Sequence, residues 1–260
     1  MIPQLHAAIN ADDIRTPPAG APLRGLRRPA ACVVATRPAQ FARAATMKTI
    51  LCYGDSNTHG TNPADWSRFD LHTRWPGVLR RELGADYWVI EEGCGGRTTV
   101  WDDPVEDQLQ GSKNGAAYLR PCLHSHQPLD LVVILLGTND LKARFGAGAE
   151  DIARGAGALV DLVRQSTAGP GGRAPRVLLL APPPVAPLAG TPFSDMLAGA
   201  EEKSARFGQF FRQVAAERDC PLLDLAEVIV SSPTEGVHFD APEHAKLARA
   251  VAAKVRELLT

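Results

Sequence analysis

The sequence predicts an α/β fold: a three-layer αβα sandwich around a five-stranded parallel sheet. Two observations carry this. Five short, β-rich apolar runs, at 49–53, 87–90, 131–136, 177–181 and 221–225, are separated by segments with helical spacing at 75–83, 152–164, 200–217 and 242–259. Strands alternating with helices imply parallel βαβ crossovers. The runs are also almost continuously apolar, as in strands covered on both faces.

Taken in order, the first run, Thr49-Ile50-Leu51-Cys52-Tyr53, stops on Gly54-Asp55-Ser56. The second passes into "EEGCGGRTT" (91–99) and the third into "LLGTNDLK" (135–142). The fourth runs into the proline-rich "PPPVAPLAGTPFSDML" from residue 182 to 197, and the fifth precedes "EGVHF" (235–239) and the final helix. Two connections, 93–129 and 182–197, are long for a compact domain, and loops of that length are usually functional or disordered. Residues 47–260, about 210 residues, suffice for one domain. Residues 1–46 differ in composition, with six arginines and two aspartates, about +4 against about −5 for the remainder. They read as a disordered extension or a misassigned start.

The whole chain of 260 residues carries a formal net charge of −1. Nothing in that balance draws it to nucleic acid or an anionic membrane. It also lacks an apolar stretch long enough to span a bilayer. The cysteines at 32, 52, 94, 122 and 220 are odd in number and without CxxC spacing. That argues for a reducing, cytoplasmic setting rather than a disulfide framework or a zinc site. Gly169-Pro170-Gly171-Gly172 lacks the Lys-Ser/Thr of a phosphate loop, which leaves nucleotide binding without support. His124-Ser125-His126 has no companion ligands at sensible spacing and reads as surface loop; Trp101-Asp102-Asp103 reads as capping or packing.

Four stretches thus leave the carboxyl ends of strands or the segment beyond them, and converge on one rim of the sheet. Together they supply the parts of acyl transfer. Ser56 is a nucleophile that needs a base. His238 can take its proton and return it to the leaving group. Glu235, three residues earlier, can hold the other ring nitrogen. The backbone N–H groups of Ser56 and Gly96 and the side-chain amide of Asn139 are candidate donors to an oxyanion.

"GDSN", a glycine-bearing second block, "GTND" and a Glu-x-x-His block resemble the SGNH (GDSL-type) hydrolase superfamily. "VIEEGCGGRTTVWDDP", "YLRPCL", "PLDLVVILLGTNDLK" and "VLLLAPPP" resemble its bacterial arylesterase/acyltransferase branch across 47–260. The resemblance implies a flavodoxin-like sandwich and a serine esterase with a Ser-His-acid triad, needing no metal or cofactor. It also implies that Asn139 and Gly96 complete the oxyanion hole. No G-x-S-x-G elbow is present. The family usually carries Asp where Glu235 stands, which leaves Asp240 and Glu243 as alternative acids.

By the same resemblance the substrate lies between the loop after the nucleophile and the loop after the fourth strand. The residues expected there are Asp55, Asn57, Thr61, Trp66, Phe193, Met196 and Leu197, with Lys142 at the mouth. The polar first group favours water as acceptor, hence hydrolysis of small, short-acyl esters over transfer to alcohols. A carbohydrate O-acetylesterase or a lysophospholipase-like enzyme is the alternative, and a catalytically silent binding domain is the alternative of another class. The expected partners are a small ester and, through the long loops, further copies of the chain.

Overall fold

The computed structural model describes residues 47–107 and 111–259. The expectations for residues 1–46 lie outside the described residues. Five parallel strands form one sheet: β1 (Lys48–Gly54), β2 (Tyr87–Gly93), β3 (Leu131–Leu135), β4 (Arg176–Ala181) and β5 (Leu222–Asp224), in the order β2-β1-β3-β4-β5. The helices are α1 (Ser56–His59), α2 (Trp75–Leu83), α3 (Gly115–His126), α4 (Ala149–Arg164), α5 (Ala200–Ser204), α6 (Phe207–Glu217) and α7 (Ala241–Leu259).

The alternation of side chains along a strand divides the core into two layers. Leu51 and Tyr53 of β1 join Val132 and Ile134 of β3 beneath Leu119 of α3, Ile152 of α4 and Phe211 of α6. Ile50 and Cys52 point the other way, joining Leu131, Val133 and Leu178 against Trp75 and Val78 of α2 and Leu247 and Val251 of α7. Both faces are therefore covered, which is why the strands read as unbroken apolar runs rather than alternating ones.

Register fixes where the site can form. Gly54, the last residue of β1, pairs with Gly93 at the end of β2 and with Leu135 at the end of β3. Three chains therefore leave the sheet at one level, beside the β1/β3 position where strand order reverses. Open α/β sheets keep their ligands at that crevice.

Two elements depart from the sequence reading. The connection 93–129 contains α3, whose start is capped by Asn114 Oδ1 accepting from Ala116 N and Ala117 N. Pro121 inside it masks the helical signal, since proline leaves the carbonyl four residues back without a donor; here that residue, Ala117, is exposed to water. His124 and His126 accordingly lie in the last turn of a helix and not in a loop. The single helix expected over 200–217 is two, α5 and α6. At the break the buried Ser204 hydroxyl donates to Glu201 O and accepts from Val185 N, local bonds that compete with helical continuation. No helix among the described residues is long and apolar enough to cross a membrane.

Candidate active site

Ser56 opens α1, whose N-cap is Asp55; the Asp55 carboxylate accepts the Asn57 N–H at 2.9 Å. From the far end of the chain, the segment before α7 brings His238 to it. His238 Nε2 lies 2.9 Å from Ser56 Oγ, and its Nδ1 lies 3.0 Å from Glu235 Oε2. An ionised carboxylate only accepts, so Nδ1–H donates to Glu235 and Nε2 is left to accept from the serine hydroxyl. The other oxygen, Glu235 Oε1, accepts from the backbone N–H of Val237 at 3.1 Å and of His238 at 2.5 Å. Glutamate reaches the ring because the chain doubles back at Gly236, which has φ +90°; a Cβ there would sit 2.5 Å from Leu188 Cδ2. Asp240 is engaged elsewhere, accepting from Ser232 Oγ, and Glu243 accepts from Val230 N and Lys246 Nζ.

On the other side of Ser56, Gly96 (φ +78°) turns the chain after β2, and Asn139 opens a one-turn 3₁₀ segment after β3. Asn139 Nδ2 donates to Asp55 Oδ2 at 3.3 Å, which orients the amide and leaves its second hydrogen free to serve the cavity. Ser56, Gly96, Asn139 and His238 line one cavity of about 260 Å³, with Thr61, Trp66, Glu106, Thr138, Phe193, Met196, Leu197 and Val237 in its wall.

Three expected substrate residues are elsewhere. Asp55 is buried beneath Ser56 as cap and amide holder. Asn57 points inward, its Nδ2 donating to Val237 O at 3.3 Å and so tying α1 to the histidine segment. Lys142, 1% exposed, turns away from the mouth to pair with Asp103 at 2.8 Å and Glu106 at 2.7 Å. Asp55, Lys142 and the Asn57 Nδ2 group go where a partner exists, because leaving such a group buried and unpaired is costly. With Asn57 withdrawn, the polar lining comes instead from Thr61, Thr138 and Glu106. Asp103 caps the turn that follows it, its Oδ1 accepting from Val105 N at 3.2 Å and Glu106 N at 3.3 Å, while its Oδ2 is buried against Lys142 and Arg144.

Sequence reasoning missed Glu106 and Arg97. Glu106 lies against the backbone at Gly96, where an added Cβ would meet Glu106 Oε2 at 2.3 Å. The only hint was its place in a suspiciously long connection. Arg97 is buried and donates to Gly54 O at 2.9 Å and to Glu92 O, while its guanidinium covers the rings of Tyr53 and Tyr118 at 4.4 and 5.2 Å. It thus bridges the ends of β1 and β2, standing one residue after Gly96 and bonding to Gly54, two residues before Ser56. Trp66 is 52% exposed with φ 64°, and its ring stands edge-on to Phe193 and His238 at 5.4 and 5.7 Å.

The description "GDSL-like Lipase/Acylhydrolase family" matches residues 52–246. Among solved structures, the native aryl esterase of M. smegmatis is 43% identical, with a TM-score of 0.76 over 82% of this chain and all of that one. A carbohydrate acetylesterase family member from Sinorhizobium meliloti is 40% identical, with a TM-score of 0.77 over 82% of this chain and 99% of its own. A second carbohydrate acetylesterase from that organism, Est24, is 38% identical at a TM-score of 0.76, over 82% of this chain and 100% of its own. No curated protein matches the sequence.

Proposed function

The chain belongs to the GDSL-like lipase/acylhydrolase family and is a carboxylic ester hydrolase, and from that premise we propose that it cleaves small, short-acyl esters through an acyl-enzyme on Ser56. The observation that carries this is the continuous relay Ser56 Oγ, His238 Nε2, His238 Nδ1, Glu235 Oε2, with links of 2.9 and 3.0 Å. Ser56 Oγ attacks the ester carbonyl carbon as its proton passes to His238 Nε2. Glu235 stabilises the imidazolium so formed. The carbonyl oxygen, now an anion, meets Ser56 N–H, Gly96 N–H and Asn139 Nδ2, donors held in place before the reaction begins. Collapse expels the alcohol, which takes the proton from His238. Water then repeats the sequence on the acyl group, releasing the acid and restoring Ser56.

A cavity of about 260 Å³ suits a short acyl group with a modest alcohol. Its polar lining supports water as acceptor, with transfer to other alcohols minor, because a dry site is what protects an acyl-enzyme from hydrolysis. A second reading, de-acetylation of sugars, is favoured by the pairing of an exposed aromatic ring, Trp66, with a carboxylate, Glu106, in one wall. Such a pair offers a stacking face and an acceptor for hydroxyls.

The test compares p-nitrophenyl acetate, butyrate and octanoate, with acetylated sugars alongside, in wild type, Ser56→Ala and Glu235→Gln. We expect acetate to be preferred, kcat to fall about 10⁶-fold in Ser56→Ala and about 10⁴-fold in Glu235→Gln. Equal rates for wild type and Ser56→Ala on every ester would reject the acyl-enzyme. An unchanged rate in Glu235→Gln would reject that residue as the triad acid.

A further inference from the structure

In sequence the two histidines of "HSH" have no companions, yet folding supplies them to one. Cys122 and His126 are four residues apart on α3, hence on one face of the helix. That face meets the end of β2, where His126 Nε2 lies 2.8 Å from Glu92 Oε1. The thiol of Cys122, one imidazole nitrogen of His126 and one carboxylate oxygen of Glu92 all fall within 4.8 Å of one another. We propose that Glu92, Cys122 and His126 form a binding site for a borderline-soft divalent cation of the zinc class, with solvent as fourth ligand.

The donor set sets the class. One sulfur, one nitrogen and one oxygen are a poor shell for magnesium or calcium, which take oxygen, and a suitable one for zinc. Three protein ligands with an open fourth position are a stable zinc arrangement. Access exists from one side: Cys122 is 1% exposed, while His126 and Glu92 are partly open to solvent. The Arg97 guanidinium, the cation that acts on Cys122, is taken up by the Tyr53 and Tyr118 rings and by two backbone carbonyls. With Cys122 as thiolate and Glu92 ionised, the surroundings still carry one net negative charge for an incoming dication. Binding would replace the thiol S–H bond with a sulfur–metal bond, the proton leaving to solvent. It would also clamp α3 to the strand that leads into Gly96. No step of ester cleavage passes through these residues.

The experiment uses the full chain without an affinity tag, stripped with chelator and titrated with Co²⁺. The expected result is one cobalt per chain with a near-ultraviolet thiolate-to-cobalt charge-transfer band, displaced by Zn²⁺ and lost in Cys122→Ala. Zn²⁺ should also raise the Tm of wild type and not of Cys122→Ala. Hydrolysis of p-nitrophenyl acetate serves as the fold check. Absence of the band in wild type, or its survival in Cys122→Ala, would overturn the proposal. If Cys122→Ala does not fold, His126→Ala and Glu92→Gln decide: undiminished cobalt affinity in both would overturn it as well.

Discussion

Two buried carboxylate clusters flank the candidate site, and they are held in opposite ways. Beneath Ser56 lie Asp55 and Asp140. Asp140 accepts from the Thr99 N–H at 3.0 and 3.1 Å and from the Thr99 hydroxyl, all neutral donors. Burial pushes its carboxyl up to about 7 against those bonds, and the charge of Asp55 adds to the rise. Burial likewise lifts Asp55 to about 6, opposed by the Asn57 N–H and by the charges of His238 and Arg97. The second cluster is built around Asp103, which has no solvent exposure of its own. Burial would raise its carboxyl too, yet the hydrogen bonds from Arg144 and Lys142 hold it well below the usual carboxylate range. Desolvation thus raises all three carboxyls, and the charged partners of Asp103 are what carry it the other way.

The two arrangements serve different ends. The cluster held by neutral donors orients: Asp55 aims the Asn139 amide, and Asp140 fixes the loop after β2 through Thr99. The ionic cluster fastens, tying the segment carrying Asp103 and Glu106 to the one that follows β3 through Lys142 and Arg144.

The sharpest way to break the contrast is Lys142→Met. It strands Asp103 and Glu106 with Arg144 alone, and we expect a loss of about 3–5 kcal/mol in denaturant unfolding. A loss below about 1 kcal/mol would mean that the ionic network fastens little. Next in size is Asp140→Asn. The folded chain holds the Asp140 proton more tightly than the unfolded chain does. This carboxyl therefore favours folding below pH 4, and that contribution is lost as pH rises through about 7. Removing it should flatten the decline of stability between pH 4 and pH 8 by about 2–4 kcal/mol. An unchanged pH profile would show that the proton is held elsewhere. The smallest effect belongs to Glu150→Ala, which deletes an ion pair with Arg154 at 2.9 Å whose partners are both about half exposed. A shift of about 0.3–0.5 kcal/mol is expected there. If it matched Lys142→Met, burial would not be what gives the ionic cluster its strength.

The fold and the residues gathered at the candidate site were legible for one reason: their signals are local. Unbroken apolar runs mark strands covered on both faces, and each chemical block stands shortly after such a run, so parallel topology alone brings Ser56, Gly96 and Asn139 to one rim. Glu235 and His238 are three residues apart, close enough for their pairing to be read from spacing, and the two meet in the structure. The helix α3 escaped notice because Pro121 contradicts its pattern, although an exposed turn tolerates the missing bond.

What only the tertiary structure decided is where polar side chains far apart in sequence find partners. Lys142 turns inward to Asp103, 39 residues away, rather than outward to the mouth. Asp55 reaches Asn139 across 84 residues, and His126 reaches Glu92 across 34. Local propensity cannot choose among such pairings. The sequence by itself determined the layers, the rim and the chemistry gathered there. Packing determined which polar groups could be buried, because each needed a partner that only the assembled sheet and helices bring within hydrogen-bonding distance.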